Sequence, residues 1–401
     1  MKQGLRKNWR QFTILVIINA FVGGMVGLER TILPGLAQEV FLINSTSVIL
    51  SFIVVFGVSK AITNYLTGAL ANRIGRKNLL VIGWLVALPV PVILIYAPSW
   101  SWVVFANVLL GISQGLTWSS TVVMKIDLVG PKNRGLAMGL NESAGYLAVG
   151  AVAYLTGMIA DGYGVRPYPF YMGIGFGLIG LLLSWVLVSD TGHLVEEEGE
   201  NDETRQLRNV FVDTTWRDRN LGAITQAGLI NNLNDGMMWG VLPLFLALKG
   251  FELRSIGQIV AIYPVVWGLG QLFTGKLADL LPKKAMLFYG MAFQGLAIVL
   301  IAFSDSYTAF ATLSVVLGVG TAVVYPTFLA SISAYTHPSQ RAASVGVFRL
   351  WRDLGYAAGA IFTGVVADLM SLDWAVIFIG VLTLSSAVFI AIRMENRERS
   401  K

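Results

Sequence analysis

Thr67-Gly68-Ala69-Leu70-Ala71-Asn72 returns as Thr274-Gly275-Lys276-Leu277-Ala278-Asp279, 207 residues further along the chain. The same offset carries Gly111 onto Gly318, and Pro131, Arg134 and Gly139 onto Pro338, Arg341 and Gly346. It also carries Thr156-Gly157-Met158-Ile159-Ala160-Asp161 onto Thr363-Gly364-Val365-Val366-Ala367-Asp368. One register held at separated places marks two homologous halves related by an axis along the membrane normal.

Between and around these copies the chain is a succession of apolar stretches, each near the ~20 residues that a helix needs to cross ~30 Å of hydrocarbon. With 55% hydrophobic and 13% charged residues, the 401-residue chain has more apolar surface than a water-soluble core of its size could bury. We read twelve spans, near residues 11–34, 46–70, 78–97, 101–124, 135–160, 168–189, 220–247, 255–277, 284–304, 307–333, 342–367 and 373–393. The expected fold is an all-α integral membrane protein, twelve transmembrane helices in two pseudo-symmetric six-helix bundles. Residues 1–189 form the first bundle, 190–219 a linker and 220–401 the second. The acidic run Glu196, Glu197, Glu198, Glu200, Asp202 and Glu203 makes that linker a solvated one. Thr13 to Leu28 follows a basic lead but no small-residue cleavage site, so it reads as a retained first span.

Basic residues are divided unevenly between the two sets of loops. Lys2, Arg6, Lys7, Arg10, Arg73, Arg76, Lys77, Lys125, Lys132, Arg134, Arg205 and Arg208 lie on the side of the termini, whereas Arg166, Lys249 and Arg254 occupy the opposite loops. That bias predicts an inner-membrane protein with both termini cytoplasmic. It also explains the net charge of +6 without nucleic acid. The chain has no cysteine, and its two histidines, His193 and His337, fall between spans. Thiol chemistry is excluded, no metal or cofactor is expected, and no nucleophile–base–orienter set suggests an enzyme.

Gly68-Ala69-Leu70-Ala71-Asn72-Arg73-Ile74-Gly75-Arg76-Lys77 resembles the signature loop between the second and third spans of the major facilitator superfamily. The acidic position of that signature is Asn72 here; the second copy keeps Asp279 but reduces the basic part to Lys283 and Lys284. Physically, Gly68 and Gly275 would let helix backbones approach, and Asn72 or Asp279 would cap a neighbouring helix. With Arg73, Gly75, Arg76 and Lys77 they would form a cytoplasmic latch, stronger at Asp279 where the charge remains. Two further patterns are incomplete: Gln114-Gly115 lacks the family's preceding arginine, replaced by Gly111, and Gly145-Tyr146-Leu147-Ala148-Val149-Gly150 lacks the Gly-Pro pair of drug–proton antiporters.

Charges inside hydrocarbon are costly, so each is a site candidate. Asp235 lies deep in the seventh span with Asn231 and Asn234 expected on its face, and Glu29 and Arg30 end the first span. These five are the expected substrate or proton-coupling residues, with Glu29 as proton carrier and Arg30 snorkelling. Glu142 and Arg349 stand at equivalent repeat positions with opposite charge. With Arg352 and Asp353 they are the expected inner gate of ion pairs, and Lys60 is expected to snorkel or pair locally. The resemblance implies a monomeric secondary active transporter of a small organic solute, alternating access between its halves in contact with membrane lipid. Coupling to protons, or to another ion, and export are favoured. The alternatives are a symporter or facilitator of a small organic anion and, in a different class, a lipid flippase or non-transporting receptor.

Overall fold

The computed structural model describes residues 4–129, 134–191, 207–336 and 338–395, without the side chains of 68–73, 126, 134–137, 279–280, 333, 338–339 and 341–342. His193, His337 and the acidic run of the linker lie outside the described residues.

Among the described residues twelve long helices follow one another. The first half contains α1 (Trp9–Arg30), α2 (Ser51–Ile74), α3 (Arg76–Tyr96), α4 (Trp100–Val129), α5 (Arg134–Tyr163) and α6 (Tyr168–Val186). The second contains α7 (Arg219–Leu248), α8 (Leu253–Leu280), α9 (Lys283–Ala302), α10 (Tyr307–Tyr335), α11 (Pro338–Leu369) and α12 (Leu372–Arg393). Among the described residues nine helical stretches are long and apolar enough to span a membrane. The other three, α4, α7 and α11, are 30, 30 and 32 residues long but carry many of the buried polar side chains. Almost every side chain of α7 from Asn220 to Leu246 is buried, so its polar residues meet protein and not lipid.

Local chemistry sets the ends. Asp218 caps α7 by accepting from the backbone N–H of Asn220 and Leu221, Ser306 caps α10 and Ser371 caps α12. The residues before α7 depart from the expectation of a bare linker. Gln340 exchanges two hydrogen bonds with the backbone of Leu207, Trp351 Nε1 donates to Thr215 Oγ1, and Trp216 stacks on Phe389. The end of the linker is thus docked on α11 and α12.

The sequence repeat is also a repeat of contacts. Thr67 Oγ1 donates to the carbonyl of Gly115, and Thr274 Oγ1, 207 residues on, donates to the carbonyl of Ala322, itself 207 residues beyond Gly115. A Cβ on Gly111 would strike Ser59 and the carbonyl of Phe56; on Gly318 it would strike the equivalent Val266 and Tyr263. The halves meet as α5 against α8 and α2 against α11. Their packing is tight at the face away from the termini, where a Cβ on Gly157 would lie 2.9 Å from Gly257 Cα. Toward the termini it loosens: the nearest atom to a Cβ on Gly139 is 3.4 Å away, and on Gly346 it is 4.0 Å away.

Candidate functional site

Asp235 does not stand among the asparagines. Its two carboxylate oxygens accept from Nη1 and Nη2 of Arg30, each at 2.8 Å, in a bidentate pair that joins α1 to α7 across the two halves. Both residues are buried, and the guanidinium lies 5.1 Å from the ring of Trp239. Arg30 therefore does not snorkel; a planar fork with a matched carboxylate and a ring face is its cheapest buried arrangement. Asn234 turns into its own half, donating to Gln294 Oε1 and accepting from Thr383 Oγ1, while Asn231 donates weakly to Asn232. Neither is hydrogen-bonded to Asp235: Asn234, the adjacent position, points about 100° away, and Asn231, on the same face, has Asn232 as its partner.

Glu29, next to Arg30 in sequence, is buried, and neither carboxylate oxygen has a hydrogen-bond partner. Asn107 of α4 is the polar side chain interacting with it. A buried carboxylate without a charged partner is expensive when ionised, and among the described residues Glu29 is the one acid with both oxygens in the buried, unpartnered set.

Of the four expected inner-gate residues, two pair with each other and two do not. Arg352, not Arg349, pairs with Asp353, through Nε at 2.8 Å and Nη2 at 2.6 Å, and its Nη1 donates to Tyr325 OH. Asn64 of α2 donates to the other oxygen of Asp353. Glu142 accepts from Trp118 Nε1 at 2.8 Å and Asn141 Nδ2 at 3.0 Å, and Arg349 crosses to α4 to donate to Ser119 Oγ at 3.3 Å. Among the described residues, then, α2, α4 and α11 are tied by a network of amides and hydroxyls.

That cavity is small and polar, and lies between the halves. Lys60, Trp118, Glu142, Tyr146, Tyr325 and Arg349 line it. Lys60 does not snorkel; its ammonium faces the rings of Phe56, Trp118 and Tyr356 at 5.1 to 5.7 Å. Sequence reasoning missed Lys125, assigned to a loop but fully buried in α4 with its ammonium on Asn141 Oδ1. It also missed Asn64, Ser119 and Tyr146, neutral residues that a search for intramembrane charge passes over.

In the loop between α2 and α3 the described residues have partners other than those expected. Gly75 has φ +90°, which suits glycine, and the N-terminus of α3 is capped by Asp190, whose Oδ2 accepts from Lys77 N at 2.8 Å. Arg76 forms an ion pair of 2.8 Å with Asp127 of α4, which also accepts from Thr191. Neither acid was anticipated. The surroundings of Gly68 and the side chains of Asn72, Arg73 and Asp279 fall outside the description, so close approach at Gly68 and capping by Asn72 or Asp279 stay expectations. At Gly275 a Cβ would meet nothing within 4 Å, so close backbone approach there is corrected. Lys283 and Lys284 are partly exposed at the start of α9.

Several known proteins are similar along most of the chain. The proton-coupled antiporter flippase LtaA of Staphylococcus saprophyticus is 25% identical over 378 residues, covering 90% of this chain and 88% of that protein. LtaA of Staphylococcus epidermidis is 23% identical and LtaA of Staphylococcus aureus (strain N315) 25%, covering 96% and 98% of this chain and 94% and 97% of theirs. Among solved structures, the human organic anion transporter MFSD10 (TETRAN) superposes with a TM-score of 0.72 at 17% identity, covering 96% of this chain and 99% of that one, a likeness of fold. The sequence model of the Major Facilitator Superfamily matches residues 14–225 and again 224–401. Two six-helix halves, each matching that family on its own, make the chain a multi-pass membrane transporter of the Major Facilitator Superfamily.

Proposed function

We propose that the protein is a proton-coupled antiporter that exports an amphiphilic lipid by alternating access. The observation that carries the reading is the Arg30–Asp235 pair, which ties α1 to α7 across the two halves. Separating them at the tightly packed face must break a buried ion pair, at ~3–5 kcal/mol if a charge is left uncompensated. A proton taken up by Asp235 as that face opens removes one of the two charges. Glu29, adjacent and bare, is the second acceptor, so proton binding and opening reinforce one another. The loose packing at the face of the termini fits a state closed on the other side. Excess lysine and arginine on the termini's side support a cytoplasmic placement of both ends. The lipid class and the antiport direction rest on the relatives named as proton-coupled antiporter flippases.

A soluble organic anion is the second reading, favoured by the cations Lys60 and Arg349 in the cavity wall. The decisive assay is protein in liposomes with a short-chain fluorescent lipid and an imposed pH gradient, leaflet exchange being read by dithionite quenching. Exchange faster with the gradient than without it is expected. Equal rates in the two conditions, and in protein-free liposomes, would refute the lipid antiporter.

A further inference from the structure

The central cavity lies where the two halves face each other, so its wall can be compared position by position at the 207-residue offset. Trp118 corresponds to Tyr325, Glu142 to Arg349, Tyr146 to Asp353 and Lys60 to Trp267. The first correspondence keeps an aromatic ring. The others trade charge for ring or reverse the sign, and the wall is therefore asymmetric in charge.

Partners account for most of that charge. Asp353 is matched by Arg352 at 2.6 Å and by Asn64. Glu142 accepts from Trp118 and Asn141 through Oε1 alone, its buried Oε2 having no partner, and Asn141 takes the ammonium of buried Lys125 within the same half. Lys60 and Arg349 are left over. Lys60 makes no ion pair among the described residues and sees three ring faces. Arg349 makes one hydrogen bond, to Ser119, and its buried Nε has no partner. These two cations with unused donors line one cavity and have lost hydration there. An anion between them would use the free donors and offset that loss.

We propose that Lys60 and Arg349 form the site for an anionic phosphate or carboxylate group of the transported substrate. The guanidinium fork suits the planar or tetrahedral oxygens of such a group, and the lysine supplies a point charge opposite. Tyr146 stacks on Trp267 at 3.5 Å beside Tyr325, giving a flat apolar wall for the neighbouring part of the molecule. The assignment rests on the transport reading above and narrows its substrate to an anion. The anion could be a lipid headgroup or a free solute.

Isothermal titration of the full-length protein in detergent tests it with three probes: dihexanoyl-phosphatidylglycerol, inorganic phosphate and uncharged dihexanoylglycerol. Lys60→Gln and Arg349→Gln are each expected to weaken anion binding about tenfold, equivalent to about 1.4 kcal/mol. Lys60→Arg should retain it. Lys60→Met, which suits the ring cage without the charge, keeps the test decisive if a glutamine variant is not monodisperse. Binding of phosphatidylglycerol alone with that dependence identifies a lipid headgroup, and binding of phosphate with the same dependence a free anion. Failure of both anions to bind the wild type at millimolar concentration, or equal affinity in the charge-removing variants, overturns the site. The titration uses no gradient, so its failure leaves proton coupling intact, and loss of gradient-driven transport with anion binding preserved removes coupling alone.

Discussion

Asp235 combines two demands that a single substitution cannot separate: it neutralises Arg30, and in the proposed cycle it takes a proton. Asp235→Asn alone leaves a buried guanidinium without its counter-charge, so a loss of ~3–5 kcal/mol in stability is expected together with loss of coupling. The double variant Arg30→Gln with Asp235→Asn removes both charges and keeps polar, similarly shaped side chains. Its thermal unfolding temperature in detergent should recover most of the loss, while gradient-driven transport in liposomes should not recover. Full transport by the double variant would assign the pair to packing. That Asp235 would meet protein and not lipid was legible in the sequence, because a carboxylate deep in an apolar span is costly. Its partner was not, since Arg30 lies 205 residues away and only the packing of α1 against α7 brings them together. Lys125 was misassigned for a related reason: α4 runs to Val129, past the length needed to span hydrocarbon, and hides an ammonium that span-counting leaves in a loop.

Helix contacts turn the repeat into a mechanism, because α5 against α8 and α2 against α11 are the surfaces on which the halves would rock. Gly157 and Gly257 meet at the closed face with no room for a side chain. Gly157→Leu should force α5 from α8 there and lengthen the distance between spin labels at Leu42→Cys and Leu248→Cys. Gly275→Ala, facing open space, should leave that distance unchanged and could gain up to ~1 kcal/mol of helix propensity. Equal distances in all three proteins would show that this contact does not hold the face shut. A second tie at the same face is Asp368 at the end of α11, which accepts from Ser45 Oγ and from the backbone N–H of Thr46 and Ser47. Burial pushes its carboxyl up, but those hydrogen bonds outweigh it and hold the carboxyl below its ordinary value. A depressed value means that the contribution is complete above the ordinary range near ~3.9 and is lost as pH falls through the lower, folded value. The stability difference between wild type and Asp368→Asn, from unfolding at a series of pH values, should be constant above about pH 5 and shrink below it. The equivalence of Thr156-Gly157 with Thr363-Gly364 was visible in the sequence. What it could not show is that Gly157 faces Gly257 while Gly364 faces Ser47, since equivalent residues meet different partners across the interface.

Across the whole molecule, two halves in one register place the cavity between them, and the direction of every coupled step depends on which face meets the cytoplasm. Fold and family were readable from spans, repeat and signature motif; the site was readable only as a set of charges. Its connections depend on amides and hydroxyls such as Asn64, Asn141 and Ser119, whose composition carries no signal until the helices are packed. Orientation can be settled by chemistry on this chain because it has no cysteine of its own. Leu42 lies in the loop after α1, 78% exposed, and Arg217 lies just before α7 with its side chain 59% exposed, on the opposite side of the bundle. If both termini are cytoplasmic, a membrane-impermeant maleimide added to intact cells should label Leu42→Cys at once and Arg217→Cys only after lysis. The reverse pattern would invert the molecule. In the expected orientation the closed face is external, so a proton entering down its gradient would reach Asp235 and Glu29 as that face opens, while the substrate would reach the wall of buried Lys60 and partly buried Arg349 from the cytoplasmic side, where the packing is looser. Those two access routes, one for the proton and one for the substrate, are what an exporter requires.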